Sequence, residues 1–235
     1  QSSDTTAGVA ALIGARAAHR MQEYERRDEW LHRAEGDREM QTARLVSSAE
    51  MWTEQRENDS ALDAIDRLQG AGARHIHATR IALNANLQSG RWDDALKAVR
   101  LLEKRNALHP VLARKLKHAI YRELMLAQRH DPVALEASWR GLPQADRELP
   151  EIALEGARLL NVAGRGHLAA EVIETALGKS PVAWDDMAER LLDEYARAQA
   201  FPARSQLERA EAWLAQAPPS GPVRAALLRA AGLIC

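Results

Sequence analysis

Glu57-Asn58-Asp59-Ser60-Ala61-Leu62 aligns with Arg91-Trp92-Asp93-Asp94-Ala95-Leu96 so that Ala61 and Ala95 stand one 34-residue step apart, and the same step back from Ala61 reaches Arg27. A fixed period of this length marks stacked helix-turn-helix units, each too small to bury its apolar face alone. Carried through the second helix of each unit, the register places Leu31, Ile65 and Val99 at one position and Ala34, Leu68 and Leu102 three residues later. All six are apolar, at a spacing that puts both positions on one helical face. In the first helix the register pairs Ala15, Ala49 and Leu83, mostly small residues where two helices must approach closely. Ser89-Gly90-Arg91-Trp92 recurs in kind as Ala163-Gly164-Arg165-Gly166, with Gly90 and Gly164 each five residues before an alanine, Ala95 and Ala169. Glycine at a helix C-terminus permits the left-handed residue that ends it.

Composition agrees with helix throughout. Of 235 residues, 46% are hydrophobic but only 4% aromatic. Ala, Leu, Arg and Glu dominate, which lose little freedom in a helix, and β-branched residues are sparse, so almost no sheet is predicted. A net charge of -1 lacks the electrostatic footprint of a general nucleic-acid binder, and no such partner is expected. Only five of the 32 cations are Lys, so the surface cations are mostly guanidinium groups that grip carboxylates in a fork. Cys235 is the single cysteine, which leaves no intrachain disulfide and no multi-Cys metal site. The longest uncharged apolar stretch, Ala7 to Ala15, is far short of the ~20 residues of a membrane helix, so this fragment is expected to be soluble.

The pattern of a small residue early in the first helix, Gly at the turn, Ala in the second helix and Pro after it resembles the tetratricopeptide repeat, and Ala157, Gly164, Ala169, Ala176 and Pro181 carry it. The resemblance implies an all-α fold, a right-handed superhelical solenoid of antiparallel helix pairs. We read residues 1–235 as a single repeat domain with approximate repeats 9–36, 37–70, 73–108, 111–143, 149–181 and 183–217. After Pro218-Pro219-Ser220-Gly221-Pro222, the terminal helix 223–235 reads as the first helix of a further repeat or as a cap.

Three stretches narrow the resemblance. Ala17-Ala18-His19 through Glu23-Tyr24-Glu25-Arg26-Arg27-Asp28-Glu29-Trp30-Leu31 to Ala34 is the first. Trp139-x-x-Leu142-Pro143 with Arg147, Pro150-Glu151 and Ala157 to Gly164 is the second. Leu207-Glu208-Arg209-Ala210-Glu211-Ala212-Trp213-Leu214, the proline break and Leu227 to Cys235 form the third. In order and approximate spacing they are similar to the HemY family of bacterial inner-membrane tetratricopeptide-repeat proteins associated with haem and porphyrin biosynthesis. The resemblance implies a non-enzymatic scaffold that binds haem-biosynthesis enzymes or a porphyrin. It also implies a bacterial inner-membrane location, with two N-terminal membrane helices ahead of a cytoplasmic repeat domain. The alternative, from the repeat alone, is a generic peptide-binding assembly module with no tetrapyrrole role.

Other motifs have plainer readings. Gly164-Arg165-Gly166-His167-Leu168-Ala169 spells a dinucleotide fingerprint, but that fingerprint needs a strand before it, and here a helix is predicted. Gly178-Lys179-Ser180 lacks the upstream glycine of a phosphate-binding loop and reads as a helix end. His75 and His77 point to different helical faces, no catalytic grouping or metal site stands out, and no cofactor is expected; if haem or porphyrin binds, its ligand residue is not identified. Asn58-Asp59-Ser60 is formally a glycosylation sequon and reads as the turn between two helices. Trp30, Trp52, Trp139 and Trp213 fall beside apolar neighbours and are read as core, and Trp92 as a turn aromatic.

Such solenoids bind on the concave face, to which the register assigns Arg16, Arg20, Glu50, Arg80, Asn84, Arg158 and Asn161 from the first helices. Arg80 and Asn84 lie four apart, in the slots where peptide-binding members of the superfamily place Lys and Asn around a carboxylate.

Overall fold

The computed structural model describes residues 2–36, 40–70, 75–178, 184–198 and 203–234. Among them 83% are helical and none forms a strand. Lys179, Ser180, Pro181 and Cys235 lie outside the described residues. Within the chain, residues 1–117 and 118–235 form two compact units.

In the first unit α1 (Ser2–Arg20) packs on α2 (Tyr24–Arg33), which runs into a 3-10 turn (Ala34–Gly36). Two further pairs follow, α3 (Gln41–Glu54) with α4 (Asn58–Gly70) and α5 (Ile76–Gln88) with α6 (Trp92–Lys104). Each first helix also meets the next one, α1 against α3 and α3 against α5, while α4 meets α5.

Every first helix of this unit ends in the same way. Gln22, Arg56 and Gly90, one 34-residue step apart, have φ of 61°, 65° and 69°. Around each, two backbone bonds close the helix: Gln22 N–H to the His19 carbonyl and Glu23 to Ala18, Arg56 to Thr53 and Glu57 to Trp52, Gly90 to Leu87 and Arg91 to Asn86. These bonds satisfy carbonyls that the helix leaves open. Only Gly takes this conformation without a Cβ penalty, so at Gln22 and Arg56 the bonds hold a residue that resists it.

The residues in register fill the interior. Ala15, Ala49, Ala61 and Ala95 are fully buried, and Leu31, Ala34, Ile65, Leu68, Leu83, Val99 and Leu102 are buried with them. Each Leu, Ile or Val contributes about 1.5–3 kcal/mol through burial. The alanines contribute little area but set how closely the helices approach. In the first pair Arg27 stands at the alanine position and is only 2% exposed. Its Nε donates to Asp28 Oδ1 at 2.7 Å, its Nη1 donates to Gln55 Oε1, and the guanidinium lies 5.2 Å from the Tyr24 ring centre. A buried cation is tolerated there because its donors are met.

α7 (Pro110–Ala127) runs from the first unit into the second. In the second, α8 (Pro132–Gly141) starts at Asp131, whose carboxylate accepts from the Val133 and Ala134 amides at 3.0 Å. A short α9 (Gln144–Arg147) leads to α10 (Pro150–Val162), which packs on α11 (Gly166–Leu177). Their turn repeats the pattern of the first unit: Gly164 has φ 71°, its N–H donates to Asn161, and that of Arg165 to Leu160. Ala157 and Ala169 are fully buried. With α10 ahead of Gly164, the dinucleotide fingerprint has no strand to follow.

α12 (Asp186–Arg197) packs on α10 and α11, and α14 (Pro222–Ile234) lies against both α12 and α13 (Ala203–Gln216). Tyr195 and Trp213 join α12 to α13 edge to face at 5.1 Å. Gln206 Nε2 donates to the Tyr195 and Ala198 carbonyls at 2.7 and 2.9 Å, which closes the end of α12. Among the described residues no helix is long and apolar enough to cross a membrane.

Candidate functional site

The side chains assigned to the concave face fall into three groups. On α1 and α3, Arg16 lies 3.6 Å from Glu50 and 3.2 Å from Glu54, the latter an ion pair without hydrogen-bond alignment. His19 Nε2 pairs with Glu54 Oε2 at 3.0 Å, and His77 on α5 pairs with Glu50. One chain of polar side-chain contacts therefore crosses the first helices of three consecutive pairs. Two of its links are spaced by about one repeat, Arg16 and Glu50 at one 34-residue step and His19 and Glu54 at 35 residues, whereas His77 and Glu50 are separated by 27. Arg20 is exposed on the next turn of α1.

On α5, Arg80 Nη2 donates to the Ala107 carbonyl at 2.7 Å, beyond the left-handed Asn106 that ends α6. Asn84, one turn on, is exposed. The Arg80 fork thus braces a turn, with Asn84 beside it open to solvent.

In the second unit the expected carboxylate grip is present, but the carboxylate belongs to the chain. Arg158 Nε lies 3.4 Å from Glu194 Oε1, and Asn161 Nδ2 donates to the Glu194 carbonyl at 3.0 Å and to Oε2 at 3.3 Å. Arg197 adds a bond of 2.8 Å to Oε1. Glu194 is 4% exposed, so these donors stabilise a carboxylate that would otherwise be costly to bury. Arg158 and Asn161 hold α12 against α10.

Sequence reading did not assign Glu54, His19, His77 or Glu194 to the concave face. The signal available was opposite charge, or a histidine facing an acid, at about one repeat of separation, since equivalent turns of neighbouring first helices lie side by side. Among the described residues no group of three or more His, Cys, Asp or Glu is arranged to hold a metal.

A separate feature lies on the other helices of the second unit. Trp139, Leu168 and Val172 form the floor of a cleft of about 340 Å³ between α8, α9 and α11, with Arg140, Arg147 and Glu171 at its walls. Of these, Trp139 and Arg147 belong to a stretch singled out in the sequence, although none was assigned to a binding face.

Comparison with protein-family models, curated proteins and solved structures gives no match for this chain. The fold itself defines an all-helical protein of consecutive helix pairs, compatible with a helical repeat solenoid.

Proposed function

We propose that the protein is a non-enzymatic binding scaffold built of tetratricopeptide-type repeats. The observation that carries this reading is the 34-residue recurrence of one turn conformation, at Gln22, Arg56 and Gly90, together with the fully buried Ala61 and Ala95 that follow the last two. A chain that repeats both its turn and its core presents a long polar surface on its first helices, as suits a protein that holds other proteins. Exposed Arg20 and Asn84 lie on that surface, and peptide carboxylates are the chemistry they would meet.

A narrower form of this reading, an inner-membrane adaptor of haem synthesis, rests on the three HemY-like stretches. Affinity purification of the full-length protein from its own membranes tests both. Enrichment of late haem-pathway enzymes supports the adaptor, and a reproducible set of unrelated proteins supports the general scaffold. Recovery of nothing above a bait-free control would sink both.

A further inference from the structure

We propose that the corner where α6 turns into α7 binds an anionic lipid surface. Residues 97–117, all in the first unit, hold seven of the 32 cations, including four of the five lysines, but only one of the 33 acids. The segment therefore carries a formal charge of +6, against -7 for the rest of the chain.

Two of these cations are free of any acid. Lys97 pairs with Asp94 at 2.8 Å and Lys117 with Glu103 at 3.1 Å, and Arg100, Arg105 and Arg114 make contacts of their own. Lys104 and Lys115 are exposed and make no ion pair among the described residues. They flank one short turn: Lys104 ends α6, Asn106 is left-handed at φ 52°, and Lys115 lies in the second turn of α7. Between them stand apolar side chains. Val111 and Leu112, in the first turn of α7, are 55% and 47% exposed, and Leu101 in the last turn of α6 is 39% exposed. Helical spacing puts Val111, Leu112 and Lys115 on one side of α7, away from the fully buried Ala113. Single exposed apolar residues are ordinary, but here they adjoin one another at a lysine-rimmed corner. A bilayer surface offers both chemistries at once, acyl chains for the apolar tip and charged headgroups for the lysines above it. Lysine is a hydrated point charge without a fork, which suits mobile phosphate headgroups; where this chain meets fixed carboxylates it mostly uses arginine, as at Glu50 and Glu194. The segment has no aromatic residue on which bases could stack, which counts against single-stranded nucleic acid. The contact depends neither on the scaffold reading nor on an anchor elsewhere in the protein.

The test is sedimentation of the full chain with vesicles of phosphatidylcholine alone and with about one-third phosphatidylglycerol. Binding to the anionic vesicles alone is expected, and raising salt from about 0.1 M to about 0.5 M should release it. Lys104→Glu with Lys115→Glu should weaken binding at least about tenfold, and Val111→Ser with Leu112→Ser at least about threefold. Arg67→Glu, which reverses an exposed cation on α4, should leave it unchanged. All these side chains are exposed, and dichroism checks that each variant keeps its helix content. If a pair of substitutions does not fold, its single substitutions carry the comparison. Polyglutamate and single-stranded RNA are the competing polyanions. Tighter binding of either than of the anionic vesicles, lost with the same lysines, assigns the corner to an acidic protein or to a nucleic acid and overturns the proposal. So would equal binding to both vesicles, binding to neither, or undiminished binding by the folded lysine or serine variants.

Discussion

The indole of Trp139 lies directly on the backbone of Gly156: a Cβ at residue 156 would stand 2.5 Å from the ring. The same arrangement joins Trp30 to Gly14 at 2.8 Å in the first unit. In each case one helix presses a tryptophan onto a neighbouring helix that has no side chain at the contact, α8 on α10 and α2 on α1. Gly156→Ala gains about 0.5–1 kcal/mol from helix propensity, but overpacking of a buried ring costs about 1–3 kcal/mol, so net destabilisation is expected. Urea unfolding checks it, and Trp139→Leu in the same chain should recover most of the loss.

The left-handed turn residues make opposite substitutions informative. Arg56→Gly relieves a conformation that costs a side-chain-bearing residue roughly 1–2 kcal/mol, less about 0.5–1 kcal/mol of unfolded-state entropy, so a modest gain in stability is expected. Gly90→Ala should lose a comparable amount. If both shift the melting temperature in the same direction, the turns are not equivalent.

Ala95 is fully buried where α6 meets α5. Ala95→Trp should overpack that joint by about 1–3 kcal/mol or more. Hydrogen exchange should place the damage in α5 and α6 rather than in α1 and α2, because each pair packs chiefly on its neighbours.

Arg158→Ala leaves the buried Glu194 with only Arg197 and Asn161 and should destabilise by about 1–3 kcal/mol. A double-mutant cycle with Glu194→Gln should return a coupling of at least about 0.5 kcal/mol. Additive effects would mean that the contact contributes nothing.

Tyr195 links stability to alkaline pH. Burial, then its hydrogen bond to Glu174 at 2.7 Å, raises the hydroxyl far above the usual tyrosine range. The folded state therefore favours the neutral phenol. Its contribution is complete below the unfolded value of about 10 and falls as pH rises beyond it, by up to about 1.4 kcal/mol per pH unit. The urea midpoint should drop between pH 9 and pH 11 in the native chain and drop less in Tyr195→Phe.

How much of this the sequence disclosed follows from what repeats. Leu31, Ile65 and Val99 could be assigned to the interior because burial recurs with the period, and Gly90 and Gly164 could be assigned to turns because glycine is permissive. Gln22 and Arg56 take the same conformation without a glycine to announce it, since backbone bonds rather than residue type hold them there. Arg27 breaks the alanine register, and its partner Gln55 lies in the next pair, so its burial depended on packing that no local pattern reports. Arg158 and Asn161 were read as ligand-binding residues, and the carboxylate they meet in the structure is the chain's own. Glu194 lies 36 residues from Arg158, and only the packing of α12 on α10 brings its carboxylate into reach. The cleft under Arg147 is built from second helices and a short connecting helix, which a search confined to first helices does not visit.

The left-handed joints at Gln22, Arg56 and Gly90 also fix where such a chain can be cut and respliced. Because the backbone enters and leaves each joint in the same conformation, the segment between two of them is a cassette of constant length and phase. Duplicating or excising residues 57–90 would leave every downstream side chain on its own helical face. One residue inserted inside a helix would instead rotate everything beyond it by about 100°. A whole cassette is therefore the unit of length that this architecture can gain or lose without loss of register.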